Sequence, residues 1–242
     1  QREPDTFVLG DVLPTSSCRS PDERSWAVVQ DALPAPPEGT RNYVPFGDLH
    51  VAADGSLRAS CYARVTADSE PKSKGTFRSW MFRSSDGKHW ERGSLIGPVH
   101  NETTLLHLGG ARWLAAARRE YVELFRSPDD GATWQSLGAV TSRNEINADL
   151  QRLADGRLLL SYGRRLPGRF GVGVRFSTDE GQTWSQPQVL VSDLVSGDCG
   201  YPSSVQRADG TIVTAYYAAG APDHARYHMG VVLWNPPARS MP

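Results

Sequence analysis

Cysteine is scarce. Cys18, Cys61 and Cys199 are odd in number and widely spaced in a chain of 242 residues. That excludes both a disulfide framework and a cysteine-built metal cluster. Neither sign of charge is in excess: 26 Lys and Arg against 27 Asp and Glu leave a net charge of −1. Bulk electrostatics therefore draws in neither nucleic acid nor an anionic membrane surface, and no nucleic-acid partner is expected. No apolar run approaches the ~20 residues of a membrane-spanning helix. Long stretches of helical periodicity are missing as well. The chain shows no signal-peptide pattern and opens on Gln1, which fits a start trimmed from a secreted or periplasmic precursor. Walker loops, dinucleotide fingerprints and Gly-x-Ser-x-Gly elbows do not occur, and no cofactor is expected.

What is plentiful is turn chemistry and tryptophan: 23 Gly, 17 Pro and 7 Trp. With no helical period beside them, these point to an all-β chain with many tight turns.

The chain repeats. "SPDDGATW", Ser127 to Trp134, and "STDEGQTW", Ser177 to Trp184, both fit Ser-x-Asp-x-Gly-x-Thr-Trp, and "SSDGKHW", Ser84 to Trp90, is one residue shorter. The Trp spacings are 44 and 50, the size of one blade of a propeller built from four-stranded sheets. A second repeat alternates with the first: "AADGSLRASCYAR" from Ala52, "LADGRLLLSYGRR" from Leu153, "RADGTIVTAYY" from Arg207, and the degenerate "LGGARWLAAARR" from Leu108. Three copies turn on Asp-Gly, where Gly accepts the positive φ of a tight hairpin. Four units follow in series, roughly 42–97, 98–143, 144–195 and 196–240, and their natural arrangement is radial. Residues 1–41 are Pro-rich, with "TFVLG" and "SWAVV" as short strand candidates, a partial blade or a ring closure. In the Ser-Asp-Gly-Trp turns, Ser and Asp bond local amides and Trp packs into the blade, so they are structural.

These turns resemble the Asp-boxes of the sialidase superfamily. The likeness extends through "HNETTLLHLGGARWLAAAR", "LADGRLLLSYGRR" with "FGVGVRFSTDEGQTW", and "DCGYPSSVQRADGTIVTAYY", over about residues 42–240. It implies a β-propeller, six-bladed in that family, with a central pocket. It also implies retaining release of a terminal sialic acid from a glycan by a Tyr nucleophile, an exception among glycosidases. The chemistry accounts for the residue types. The sugar's own carboxylate repels a carboxylate nucleophile but not a neutral phenol. A phenol of pKa ~10 then needs a base, and paired guanidinium hydrogen bonds hold the substrate carboxylate.

By this resemblance Tyr201 in "GYPSS" is the nucleophile and Glu102 in "HNETT" its base. Arg118, 16 residues after Glu102, is one substrate-binding arginine. Arg164 in "SYGRR" is the second, with Arg165 and Arg169 as rivals. Each has an ordinary alternative: a tyrosine packed at a strand start, a solvated loop carboxylate, surface charges at strand ends. The family's N-terminal Phe-Arg-Ile-Pro motif is absent, and Arg41 stands in for it. The acid Asp belongs further upstream of Glu102 than the chain extends. Asp68, taken as the catalytic acid, and Asp48 are the nearest candidates. Either about two blades lie outside this chain or the protein is a reduced relative.

His224 and His228, spaced i, i+4, fall in a loop rather than a helix, so no metal site is expected. Asn101-Glu102-Thr103 is a formal glycosylation sequon. Three functions compete: an exo-acting sialidase-type hydrolase, a propeller hydrolase for another sugar, and a non-catalytic carbohydrate- or protein-binding propeller.

Overall fold

The computed structural model describes residues 15–66 and 76–238. The described residues form strands and turns without a helix. β1 (Ser17–Arg19) and β2 (Ala27–Val29) make a small hairpin. Blade 1 is β3 (Val44–Val51), β4 (Leu57–Val65), β5 (Thr76–Ser84) and β6 (Glu91–Gly97). Blade 2 is β7 (Thr103–Gly109), β8 (Arg112–Arg118), β9 (Val122–Ser127) and β10 (Gln135–Ala139). Blade 3 is β11 (Glu145–Arg152), β12 (Leu158–Leu166), β13 (Arg169–Ser177) and β14 (Gln188–Leu194). Blade 4 has three strands, β15 (Cys199–Gln206), β16 (Ile212–Ala218) and β17 (His228–Trp234). Each blade is an antiparallel meander, and the first strands β3, β7, β11 and β15 pack in succession about the axis.

The local chemistry sets these boundaries. Between first and second strands, Gly55, Gly156 and Gly210 of the Asp-Gly turns have φ of 80°, 86° and 90°, a region closed to most side chains. Between third and fourth strands lie the Ser-Asp-Gly-Trp turns. Ser127 Oγ accepts the Gly131 N–H at 2.8 Å, and the Asp129 carboxylate accepts the Thr133 N–H at 2.9 Å and its hydroxyl at 2.6 Å. Ser177, Gly181, Asp179 and Thr183 repeat the pattern. The expectation that Trp packs into the blade holds fully for Trp90, which is buried. Trp134 and Trp184 are half-buried, packed against the clusters between blades 1 and 2 and between blades 2 and 3.

Both faces of the middle blades are apolar because both are covered. Leu105, Trp113, Ala115 and Ala117 of blade 2 meet Met81 and Ile96 of blade 1, while Leu114, Ala116 and Leu124 meet Leu150, Leu158 and Tyr162 of blade 3. Val172, Val174 and Phe176 of blade 3 are buried against blade 4, but their register counterparts on β17, Met229, Val231 and Leu233, are exposed. Residues 15–43 lie on the outer side of blade 1. Ala32 and Leu33 pack on Tyr43, Trp80 and Phe82, and Ser17 Oγ donates to Gly87 C=O at 2.7 Å. "SWAVV" thus contributes β2, while "TFVLG" lies outside the described residues. Cys61 and Cys199 are buried free thiols and Cys18 an exposed one.

The hairpin and Ser-Asp-Gly-Trp turns share one end of the blades. The starts of the first strands and the ends of the second strands share the other, and the candidate residues lie there.

Candidate active site

Tyr201 enters from the start of β15. Its φ is +48°, and the β15–β16 register shifts between Gly200 and Ser203. This bulge breaks the alternation of side chains and turns the phenol towards the axis. Gly200 makes it possible: a Cβ there would lie 2.8 Å from Gly163 Cα on β12, so the two backbones touch where neither has a side chain.

Glu102 immediately precedes β7, and Arg118 ends β8 beside it; the Arg118 N–H donates to Glu102 C=O at 3.0 Å. The three functional groups converge. Tyr201 OH donates to Glu102 Oε1 at 2.5 Å. Arg118 Nη1 donates to Glu102 Oε2 and, at 3.2 Å, to Tyr201 Oη. Glu102 is 8% exposed, and its contacts explain how a carboxylate is tolerated there. Burial, then the hydrogen bond to Glu102 and its charge, raise the Tyr201 pKa well above the ordinary phenol value, against Arg118 and Arg165. Tyr201 therefore rests as the neutral phenol, its proton already directed at the carboxylate that can take it. Burial opposes the charge on Arg118, but Glu102 outweighs it and the guanidinium pKa is raised. Tyr62 of β4 borders the pair; burial and the charge of Glu102 push its phenol up to about 12.

The other candidates fall as follows. Arg165 lies beside Tyr201, its guanidinium 5.6 Å from the ring centroid. It donates to Cys199 C=O at 3.0 Å and to Tyr217 Oη at 3.1 Å. Arg164, its neighbour on the opposite face, pairs instead with buried Glu145 at 3.5 Å. Arg169 is exposed at the start of β13. Arg41 is half-buried before β3, and its Nε has no hydrogen-bond partner. Asp48 is exposed on β3, and its charge acts on Asp149, not on Tyr201. Asp68 lies outside the described residues. Among the described residues, no carboxylate other than Glu102 is hydrogen-bonded to Tyr201. Also among them, no group of three or more His, Cys, Asp or Glu is placed to hold a metal, and His224 and His228 meet only ring edge to face.

Sequence reasoning missed Asn147. It is 1% exposed on β11, at φ +59°, in a register shift between Ile146 and Ala148. Its Nδ2 donates to Glu102 Oε2 at 2.5 Å. Glu102 thus has one oxygen held by Arg118 and Asn147, leaving the other for Tyr201. Asn is among the few residues that accept positive φ readily, and that was the signal available. Also missed was an aromatic border: Phe46 at 6.0 Å and Tyr217 at 5.6 Å from the Tyr201 ring.

Comparison with known proteins agrees with this architecture. A structure of a protein of unknown function from Dyadobacter fermentans DSM 18053 superposes with a TM-score of 0.73 at 24% identity, covering 90% of this chain and 63% of that one. The Hadza microbial sialidase Hz136 gives 0.69 at 18% identity, covering 90% and 43%. The GH93 α-L-arabinofuranosidase of Fusarium graminearum, in complex with arabinobiose, gives 0.59 at 18%, covering 84% and 66%. The chain therefore spans about two thirds or less of these relatives' length. No curated protein matches it in sequence. The similar structures include sialidases and other propeller glycosidases. The model of the BNR repeat-like domain matches residues 12–214, and the chain belongs to that family, as a sialidase-like propeller that among the described residues has three four-stranded blades and one of three strands.

Proposed function

We propose that this propeller is a retaining exo-glycosidase of the sialidase type. The observation that carries the reading is the closed contact among Tyr201, Glu102 and Arg118. Tyr201 Oη attacks the anomeric carbon as its proton passes to Glu102 Oε1. The glycosidic bond breaks, and the departing oxygen takes a proton from an acid, for which Asp68 is the sequence candidate. Water then attacks the anomeric carbon of the tyrosyl glycoside and gives its proton to the acid spent in the first step, while Glu102 returns its proton to the departing Tyr201 Oη, and configuration is retained. Arg118, held against Glu102, stabilises the carboxylate between proton transfers and presents a guanidinium to an acidic sugar. A secreted or periplasmic setting is part of the same proposal, since glycans of this kind are met there.

A second reading, hydrolysis of a neutral sugar, is favoured by the engagement of Arg164 with Glu145, which leaves Arg118 and Arg165 as the arginines at Tyr201. The test is turnover of a fluorogenic sialoside and a fluorogenic arabinofuranoside by the wild type, Tyr201→Phe, Glu102→Gln and the double variant. Each single substitution is expected to cut kcat by at least ~10²-fold, and the double to add little, since the pair acts as a unit. Full activity in Tyr201→Phe would refute the nucleophile. Sugar binding with no turnover of either glycoside by the wild type would identify a binding propeller instead.

A further inference from the structure

The site does not end at Tyr201. Tyr217, from β16, lies 5.6 Å from it, and Tyr227, in the β16–β17 connection, stacks on Tyr217 at 6.4 Å with 16° between the planes. The row runs outward: Tyr201 and Tyr217 are half-buried, and Tyr227 is 69% exposed. Polar tips hold it in place. Tyr217 and Tyr227 donate their hydroxyls to the two oxygens of Asp198, and Arg165 donates to Tyr217 Oη at 3.1 Å. These bonds to Tyr217 and Tyr227 keep the Asp198 carboxyl below its usual range.

We propose that Tyr217 and Tyr227 form a subsite for a neutral sugar on the leaving-group side of the scissile bond. The proposal rests on the reading of Tyr201 as the attacking residue. Tyr227, 69% exposed and fixed by its hydroxyl, offers solvent a flat apolar ring with a tethered polar edge, which suits the apolar face of a pyranose. A neutral ligand fits because the two charges bonded to the rings, Arg165 and Asp198, offset one another across Tyr217. It lies on the leaving-group side because the bond that breaks points away from the nucleophile, towards solvent, and Tyr227 is the outermost ring.

The test compares sialyllactose, which releases a neutral disaccharide, with sialyl fluoride, whose leaving group is one atom. In Tyr227→Ala, the ratio of kcat/KM for the trisaccharide to that for the fluoride should fall about 10-fold, the scale of one aromatic contact. Tyr227→Phe, which keeps the ring but loses the tether, should fall less. Lactose alone should give saturation-transfer NMR contacts with the wild type that Tyr227→Ala loses. An unchanged ratio, or lactose contacts that persist in Tyr227→Ala, overturns the subsite while leaving the nucleophile standing. Lactose contacts that depend on Tyr227 in a protein that hydrolyses neither substrate sustain a neutral-sugar site but remove its leaving-group assignment, together with the sialidase reading.

Discussion

Replacing Asn147 by Asp exchanges an NH2 for a second carboxylate at the same place. The amide nitrogen is 2.5 Å from Glu102 Oε2, and the side chain is buried, so the new group has nowhere else to go. Two ionised carboxylates about 3 Å apart repel by roughly 5 kcal/mol at an effective dielectric of ~20, equivalent to about 4 pK units. Arg118, on the same oxygen, offsets part of this, and the two carboxyls hold one shared proton to a higher pH than a single carboxylate would. Tyr201 needs Glu102 ionised as its base. The acidic limb of kcat/KM against pH should therefore move to higher pH in Asn147→Asp, with activity recovering on the alkaline side. Asn147→Gly, which suits the φ of +59° without adding charge, should leave the limb near its wild-type position. Superimposable profiles for the wild type and Asn147→Asp would show that Asn147 does not govern Glu102.

Burial ranks the three repeated tryptophans. Trp90→Ala should cost about 3–5 kcal/mol in urea unfolding and Trp184→Ala, half-buried, about 2 kcal/mol; equal losses would contradict the packing described. Asp149 gives a pH dependence of stability. Burial raises its pKa from 3.8 to about 6, despite the Ser204 N–H it accepts. A carboxyl with a raised folded pKa favours the native state at low pH, and that contribution is lost as pH rises from about 4 through 6. Asp149→Asn, which still accepts the Ser204 N–H, should be more stable than the wild type by up to about 3 kcal/mol at pH 7 and equal to it near pH 3. Thermal melts across that range check it, and a constant difference would rule the titration out.

The blades were legible because their punctuation is local. Asp-Gly and Ser-x-Asp-x-Gly-x-Thr-Trp satisfy their own backbone, so the sequence pattern and the turn are the same object. The fourth strands β6, β10 and β14 were not read individually, because they are short, mostly exposed outer strands with weak alternation. Tyr201, Glu102 and Arg118 could be named because their surrounding motifs resemble a known pattern. Arg164 and Arg165 could not be told apart, since adjacent strand residues point to opposite faces and only the fold says which face meets Tyr201. Asn147 was hidden for a related reason. In "EINADL" it reads as an ordinary polar strand residue, and only a bulge that the strand pattern does not announce brings it to Glu102.

The groups around Tyr201 come from separate blades: the phenol from blade 4, Glu102 and Arg118 from blade 2, Asn147 and Arg165 from blade 3. Each blade is closed by its own turns, and neighbouring blades are joined by apolar packing and by side-chain bonds such as Arg58–Asp130, Arg112–Glu180 and Ser161–Ser204. The 2.5 Å contact between Tyr201 and Glu102 therefore works as a vernier on the whole stack. A slip of about 1 Å shared between two seams, too small to register as unfolding, takes it past hydrogen-bond reach. Substitutions deep in those seams can thus alter the chemistry without touching any residue that performs it.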